Sequence, residues 1–287
     1  MSRPVAFLHG AFGRIGLVDM DSSLATHVHH HLHVAIKAGG ADTFFRVRGT
    51  DYPVTDDRAV LVNAWEPHAW RRDPRTPPTR FLTLYLEPRW LTAAGFEAPA
   101  EGYGGFFPAP GVRIVAAARD CVREIVDILA AGASEPGDAP VGDRIARLVP
   151  ALVDALHGAA GARSARAAAP GPVDFRIRRA VDLLHRTGGP LRLDAVAREV
   201  GLSRPRFFEL FHQCTGLTPS RVVNAVRMEQ AIGVLTRDRS PLGELAFDLG
   251  FATPGNFSRF FRQQIGVSPN AFRRTAVAAD AAVRAAG

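Results

Sequence analysis

Leu193–Val223 reads "LDAVAREVGLSRPRFFELFHQCTGLTPSRVV", and Leu242–Arg274 repeats it as "LGELAFDLGFATPGNFSRFFRQQIGVSPNAFRR". Leu193, Ala197 and Gly201 return 49 positions later as Leu242, Ala246 and Gly250. Beyond the turn the offset is 50, and Phe207, Phe211, Gly216 and Pro219 return as Phe257, Phe261, Gly266 and Pro269. Each copy has a small alanine where two helices must approach, then a glycine suited to the left-handed residue that ends a helix. An apolar face follows, Phe207, Leu210 and Phe211 in one copy and Phe257, Phe260 and Phe261 in the other. The spacing predicts a short helix, a turn and a second helix, made twice.

The opposite face of each second helix is polar. In the first copy it carries Arg204, Arg206, Glu209, His212 and Gln213; in the second, Thr253, Asn256, Ser258, Arg259 and Arg262. A helix-turn-helix uses such a face in the major groove of double-stranded DNA, where Arg pairs with guanine and Asn with adenine. The competing reading is a helical bundle in which Gly and Phe only pack. Charge weighs against it. From Val173 onward 17 Arg stand against 10 acidic residues, an excess equal to the net +7 of the whole chain, and the rest is neutral. That is the distribution of a nucleic-acid-binding module beside a neutral domain. Two such units bound together would place their recognition helices about 34 Å apart.

The 287 residues suit more than one domain, and 47% hydrophobic content suffices for buried cores. Cys121 and Cys214 are too few for a disulfide framework or a four-ligand zinc site. No stretch approaches the roughly 20 apolar residues of a membrane span, and the start lacks a signal-peptide pattern, so a cytoplasmic protein with no membrane partner is expected. Lys37 is the single lysine, a bias attributed to genome composition.

Between Ala6 and Glu87, "VHHHLHVAIKAGG", "DTFFRVRG", "AVLVNAWEPHAW" and "RFLTLYLEP" have the rhythm of short strands in a β-barrel or jelly-roll. From Val112 the spacing turns helical, in "VRIVAAARDCVREIVDILAAG" and "VGDRIARLVPALVDALHG". Asp174 is placed to cap a helix bearing Ile177, Val181 and Leu184, with Gly188 and Gly189 at its end. The expected fold is α+β and multidomain: residues 1–110 a β-domain, 111–160 a helical segment, 161–172 a flexible linker, and 173–287 an all-α domain with two helix-turn-helix units. The apolar stripes of 111–160 suit a homodimer interface or packing back on the β-domain of the same subunit.

"TGLTPSRVVNAVRMEQAIGVL", "GFATPGNFSRFFRQ" and "GVSPNAFRR" closely resemble the DNA-binding domain of the AraC/XylS transcription regulators, over roughly the final third of the chain. The resemblance implies an arginine that contacts bases two positions before the closing Phe of each second helix. Arg259 fills this place in the second unit, but Glu209 stands there in the first. Glu209 would either accept from a cytosine amino group or orient Arg206. Pro205 and Pro254 each remove a backbone donor at the helix start, and Phe208 occupies a normally polar position.

"THVHHHLHVAIKAGG" and the later "VNAWEPHAW" resemble, more loosely, the cupin effector domain in front of many such regulators. Strand alternation would put His27, His29, His31 and His33 on one face. His29, His31 and His68, with Glu66, then become candidate ligands for a possible divalent metal, zinc, nickel, manganese or iron. Alternatively His29, His31, Trp65, His68 and Trp70 line a pocket for an organic effector, or several of the histidines sit exposed at a strand end. Phe44, Phe45, Phe81 and Tyr85 would form pocket wall or core. The resemblance implies a sequence-specific transcription regulator, an activator, that responds to a small-molecule effector and engages RNA polymerase; it is not an enzyme. Two further readings stay open: a metal-dependent cupin enzyme fused to a DNA-binding domain, and a ligand-independent DNA-binding protein.

Overall fold

The computed structural model describes residues 2–97, 105–131, 141–161, 174–186, 192–237 and 240–276. The strands are β1 Arg3–Gly10, β2 Gly13–Met20, β3 Leu24–His27, β4 Leu32–Gly40, β5 Thr43–Val47, β6 Thr50–Val54, β7 Arg58–Val62, β8 His68–Trp70, β9 Thr79–Leu86 and β10 Gly111–Arg113. They form two antiparallel sheets, ordered β1-β2-β9-β4-β7-β10 and β3-β8-β5-β6. Helix α1 (Pro88–Ala93) follows β9, and α2 (Ala116–Ala131) and α3 (Val141–Ala159) follow β10. Val112 therefore opens on a strand, not on a helix as its spacing suggested: Val112 pairs with Ala59 and extends the larger sheet.

Alternation in the larger sheet gives it two buried faces. Leu82, Leu84 and Leu86 of β9, with Val34 and Ile36 of β4, point outward to α2 and α3, where Ile125, Ile128, Val149, Leu152 and Leu156 cover them. Phe81 of β9 and Ala35 of β4 point inward to Phe45, Val47 and Trp70 of the smaller sheet. The apolar stripes of the helical segment are thus consumed inside the subunit.

The C-terminal part is helical: α4 Phe175–Arg186, α5 Leu193–Glu199, α6 Arg204–Thr215, α7 Pro219–Arg237, α8 Leu242–Asp248 and α9 Pro254–Ile265, with residues 269–276 helical as well. Asp174 accepts from the Arg176 backbone N–H at 2.9 Å, an N-terminal cap for α4. The expected linker lies, beyond Gly161, outside the described residues, as do Gly188 and Gly189.

Each helix-turn-helix joins a core that includes the β-domain. Phe257, Phe261 and Phe272 of the second unit, with Met228 and Leu235 of α7, pack in one cluster with Phe7, Met20 and Trp70. The first unit shares its core, Phe207, Phe211 and Val222, with Val28, Ala64 and Trp65. Each fully buried Phe contributes about 1.5–3 kcal/mol of transfer free energy, so the β-domain and the helical domain are one packed body.

Candidate nucleic-acid interface and effector site

The second unit is built as its sequence requires. Ala246 is fully buried at the α8–α9 crossing, and Gly250 turns the chain at φ 77°. Thr253 caps α9, its hydroxyl accepting from the Asn256 backbone N–H at 3.2 Å, and Pro254 occupies the first helical position. The Thr253 oxygen is therefore committed to the helix start. Asn256, Arg259 and Arg262 are exposed, and neither arginine forms an ion pair among the described residues.

The first unit repeats the frame, with Ala197 buried and Gly201 at φ 70°, but its arginines are occupied. Arg206 donates to Glu209 at 2.8 Å, and Gln213 donates to the other oxygen of that carboxylate at 3.2 Å. Arg204 donates to Asp194 of α5 at 2.7 Å and lies over the Phe208 ring at 5.4 Å. His212 is exposed on the same face. Exposed pairs of this kind are worth under about 1 kcal/mol and exchange readily for phosphate or base contacts.

In the β-domain the histidines do not follow simple alternation. The chain leaves strand geometry at residues 28–31, so His29 and His31 lie in a bend between β3 and β4. His27, His29 and His68 converge, each offering one ligand atom within 4.8 Å of the others, whereas His31 turns out of the group. Glu66 is also elsewhere: its carboxylate pairs with Arg48 and accepts from the Asn63 backbone N–H. Of the residues drawn from sequence, the structure thus brings His29 and His68 together, joins His27 to them, and leaves His31 and Glu66 outside that group.

The triad suits a metal chemically. Nδ1 of His27, His29 and His68 each faces a backbone carbonyl, of Ala25, His31 and Glu66, at 2.8, 3.0 and 2.8 Å. An Nδ1–H donated to each carbonyl leaves the three Nε2 atoms unprotonated, the arrangement found in metal-bound imidazoles. Nε2 of His29 is buried without a hydrogen-bond partner. Burial takes His27 to about 4, and burial with repulsion from neighbouring imidazoles holds His29 and His68 well below the ordinary histidine value. They stay neutral, the form that ligates. His33 is held low in the same way, stacks on Tyr85 at 4.5 Å and meets Nε2 of His68 at 3.4 Å.

Inside the sandwich, the cavity beside Trp70 and Tyr85 measures ≈ 20 Å³. Trp70 is a core residue whose indole N–H donates to Thr43 at 2.8 Å. A cleft of ≈ 700 Å³ lies between the β-domain and the first helix-turn-helix. Trp65 and His68 line it with Arg46, Arg48, Asn63 and Arg221. Arg48 (φ 49°) and Trp65 (φ 64°) are the two described non-glycine residues with left-handed backbones, a strained state that collects at functional sites. Asn63 fixes the loop, bonding to the Phe107 backbone at 3.1 and 2.8 Å. Sequence reading missed Arg46, Arg48 and Arg221, which carry no local motif.

A model of the AraC-like ligand-binding domain matches residues 14–169, more than half of the chain, and a helix-turn-helix domain model matches 196–275. Among curated relatives, the Msm operon regulatory protein of Streptococcus mutans is 29% identical over 87 residues, 30% of this chain and 31% of that protein. The HTH-type transcriptional activator RhaS of Escherichia fergusonii is 35% identical over 81 residues, 28% of this chain and 29% of that one. The match therefore spans under a third of these relatives. Apo ToxT of Vibrio cholerae strain SCE256 shares the fold over 93% of this chain and 98% of its own, with a TM-score of 0.56 at 11% identity. Fatty-acid-bound ToxT of that strain gives 0.53, also at 11%, over 96% and 95%. No helix among the described residues is long and apolar enough to cross a membrane. With a cupin-like sandwich in front of two exposed reading helices, the chain belongs to the AraC family, as an AraC-like ligand-binding domain joined to a helix-turn-helix domain.

Proposed function

We propose that this protein is a sequence-specific transcription regulator, an activator acting in the cytoplasm through RNA polymerase, whose grip on double-stranded DNA responds to a small molecule in the cleft at Trp65. The observation that carries the reading is the cleft's position. A ligand there touches the 63–69 loop of the β-domain and the Gln213–Leu217 turn and Arg221 of the first reading unit together. Binding energy gained against both sides shifts how that unit is held. Arg259, Asn256 and Arg262 read bases in the second unit; Arg206, oriented by Glu209, and Arg204 serve the first, with His212 beside them. RhaS, a transcriptional activator by name, supports the sign of regulation. A homodimer would form away from the α2 and α3 stripes, which are buried in the subunit. The organisation into 1–110, 111–160, 161–172 and 173–287 is part of the same proposal.

His27, His29 and His68 would hold a divalent transition metal at the inner end of this cleft, which His68 lines. Such an ion would supply a Lewis-acidic position for an anionic effector group. The chain's own part is to keep three Nε2 atoms unprotonated and aimed inward. Nothing in this role calls for turnover.

Footprinting of the full-length protein on the DNA upstream of its own gene tests the core reading. Protection of two segments about one helical turn apart is expected. Uniform protection of unrelated DNA, or none at any concentration, would reject it.

A further inference from the structure

The bend at residues 28–31 gives His27 and His29 a common direction and sends its next two histidines another way. The His30 and His31 rings lie against each other, centroids 3.9 Å apart, at the seam with α7. Glu229 reaches this seam from α7, the helix that joins the two reading units. His30, His31 and Glu229 each offer one ligand atom, all within 4.8 Å of one another. Nδ1 of His31 is 3.6 Å from Oε1 of Glu229 and has no hydrogen-bond partner, although its side chain is only 5% exposed. Glu87, just past β9, stands opposite, its Oε1 3.0 Å from Nε2 of His31 and 3.4 Å from Nε2 of His30. Arg14 is buried beside them, 3.7 Å from Glu229 and 4.1 Å above the Tyr85 ring.

We propose that His30, His31 and Glu229 form a binding site for a divalent transition metal ion of the zinc class, made jointly by the β-domain and the helix between the reading units. Two imidazole nitrogens and a carboxylate oxygen are a set that zinc, cobalt and nickel accept, and Glu87, 3.0 Å from the far nitrogen of His31, orients that imidazole as an outer carboxylate. Tetrahedral donors about 2.1 Å from an ion stand about 3.4 Å apart. Rotation of His30 and Glu229, 37% and 23% exposed, closes the remaining gap, and that exposure provides the entry path. The two carboxylates outweigh the single charge of Arg14, so the seam attracts a cation. This site is separate from the His27 triad, with which it shares no ligand, and it differs in kind: the triad lies within one domain, whereas this ion would pin α7 to the β-domain. Occupancy would then fix the seam across which the cleft and the second reading unit are linked.

Chelator-stripped full-length protein titrated with Co²⁺ tests the proposal through equilibrium dialysis and the visible absorption of tetrahedral cobalt. Glu229→Gln should lose one equivalent of bound cobalt, with its affinity at that site reduced roughly 100-fold or more, while His68→Gln loses only the equivalent belonging to the triad. His30→Gln, at a half-buried position outside the hydrophobic clusters, should reproduce the Glu229→Gln loss and guards against misfolding of the first variant. Failure of the wild type to bind cobalt, or unchanged stoichiometry and affinity in both Glu229→Gln and His30→Gln, would overturn it. Loss of cobalt only in His68→Gln would do the same while sparing the triad. Neither result bears on DNA recognition, which footprinting reports separately.

Discussion

The rings of Phe7, on the first strand, and Phe272, near the end of the described chain, pack with centroids 4.6 Å apart. Phe272 also meets Phe261 of the second reading helix at 5.5 Å. The strand that begins the β-domain therefore completes the core of the second helix-turn-helix unit. Phe272→Ala is expected to cost about 3–5 kcal/mol. In urea, signals from the β-domain and the helical domain should shift together. Separate transitions, with the β-domain unmoved, would show that the shared core does not couple them.

Arg259 stands exposed on the reading face of α9 with no ion pair among the described residues. Arg259→Ala should weaken binding to the specific operator by about 1–3 kcal/mol and relax preference at one base pair. Competition against operators substituted position by position checks this. An equal loss on every sequence would make Arg259 a phosphate contact instead.

Glu209 holds Arg206 and Gln213 on the first reading face. Glu209→Ala removes a negative charge that faces DNA and frees the Arg206 guanidinium. General DNA affinity should rise by roughly 0.5–1 kcal/mol, and the base preference of the first half-site should change. A fall in affinity at every site would mean that Glu209 reads a base itself.

Burial, then the charge of Arg14, takes His9 to about 3, against 6.5 when unfolded. Below about 6.5 the unfolded chain binds a proton that the folded protein refuses. The contribution to stability is full above that pH and falls on acidification, by up to about 1.4 kcal/mol per unit for one such group. His27, His29, His33 and His68 act in the same sense. With chelator present, the urea midpoint should drop between pH 7 and 5, less steeply in His9→Gln. A midpoint that rises on acidification contradicts the neutral burial of these rings.

The two reading units were legible because everything that defines them is local. The Ala197–Gly201 and Ala246–Gly250 spacings and the Phe pairs all act within about ten residues, so periodicity alone locates the exposed face, whereas the capping role of Thr253, read from sequence as part of the polar face, came from the structure. The inequality of the units was legible too, in Glu209 against Arg259, though the Arg206 tether needed side-chain distances. The β-rich character of the first domain could be read from its apolar runs, but the path of the chain through the histidines could not.

Alternation assumes an unbroken strand, and at residues 28–31 the chain breaks off because β3 pairs with β8 while β4 pairs with β9 and β7. Those long-range hydrogen bonds exchange His27 for His31 in the triad and carry His31 to Glu229, almost two hundred residues away. The stripes of α2 and α3 likewise announced an apolar partner without naming it, since amphipathicity fixes a direction of burial and not the surface that provides it. The sequence by itself determined two helix-turn-helix units, their charge and the face each second helix leaves polar, because short-range sterics and hydrogen bonds decide them. Only the tertiary structure decided which histidines meet, where the cleft opens and that α7 closes on the β-domain, because those contacts depend on strand register and packing between segments far apart in the chain.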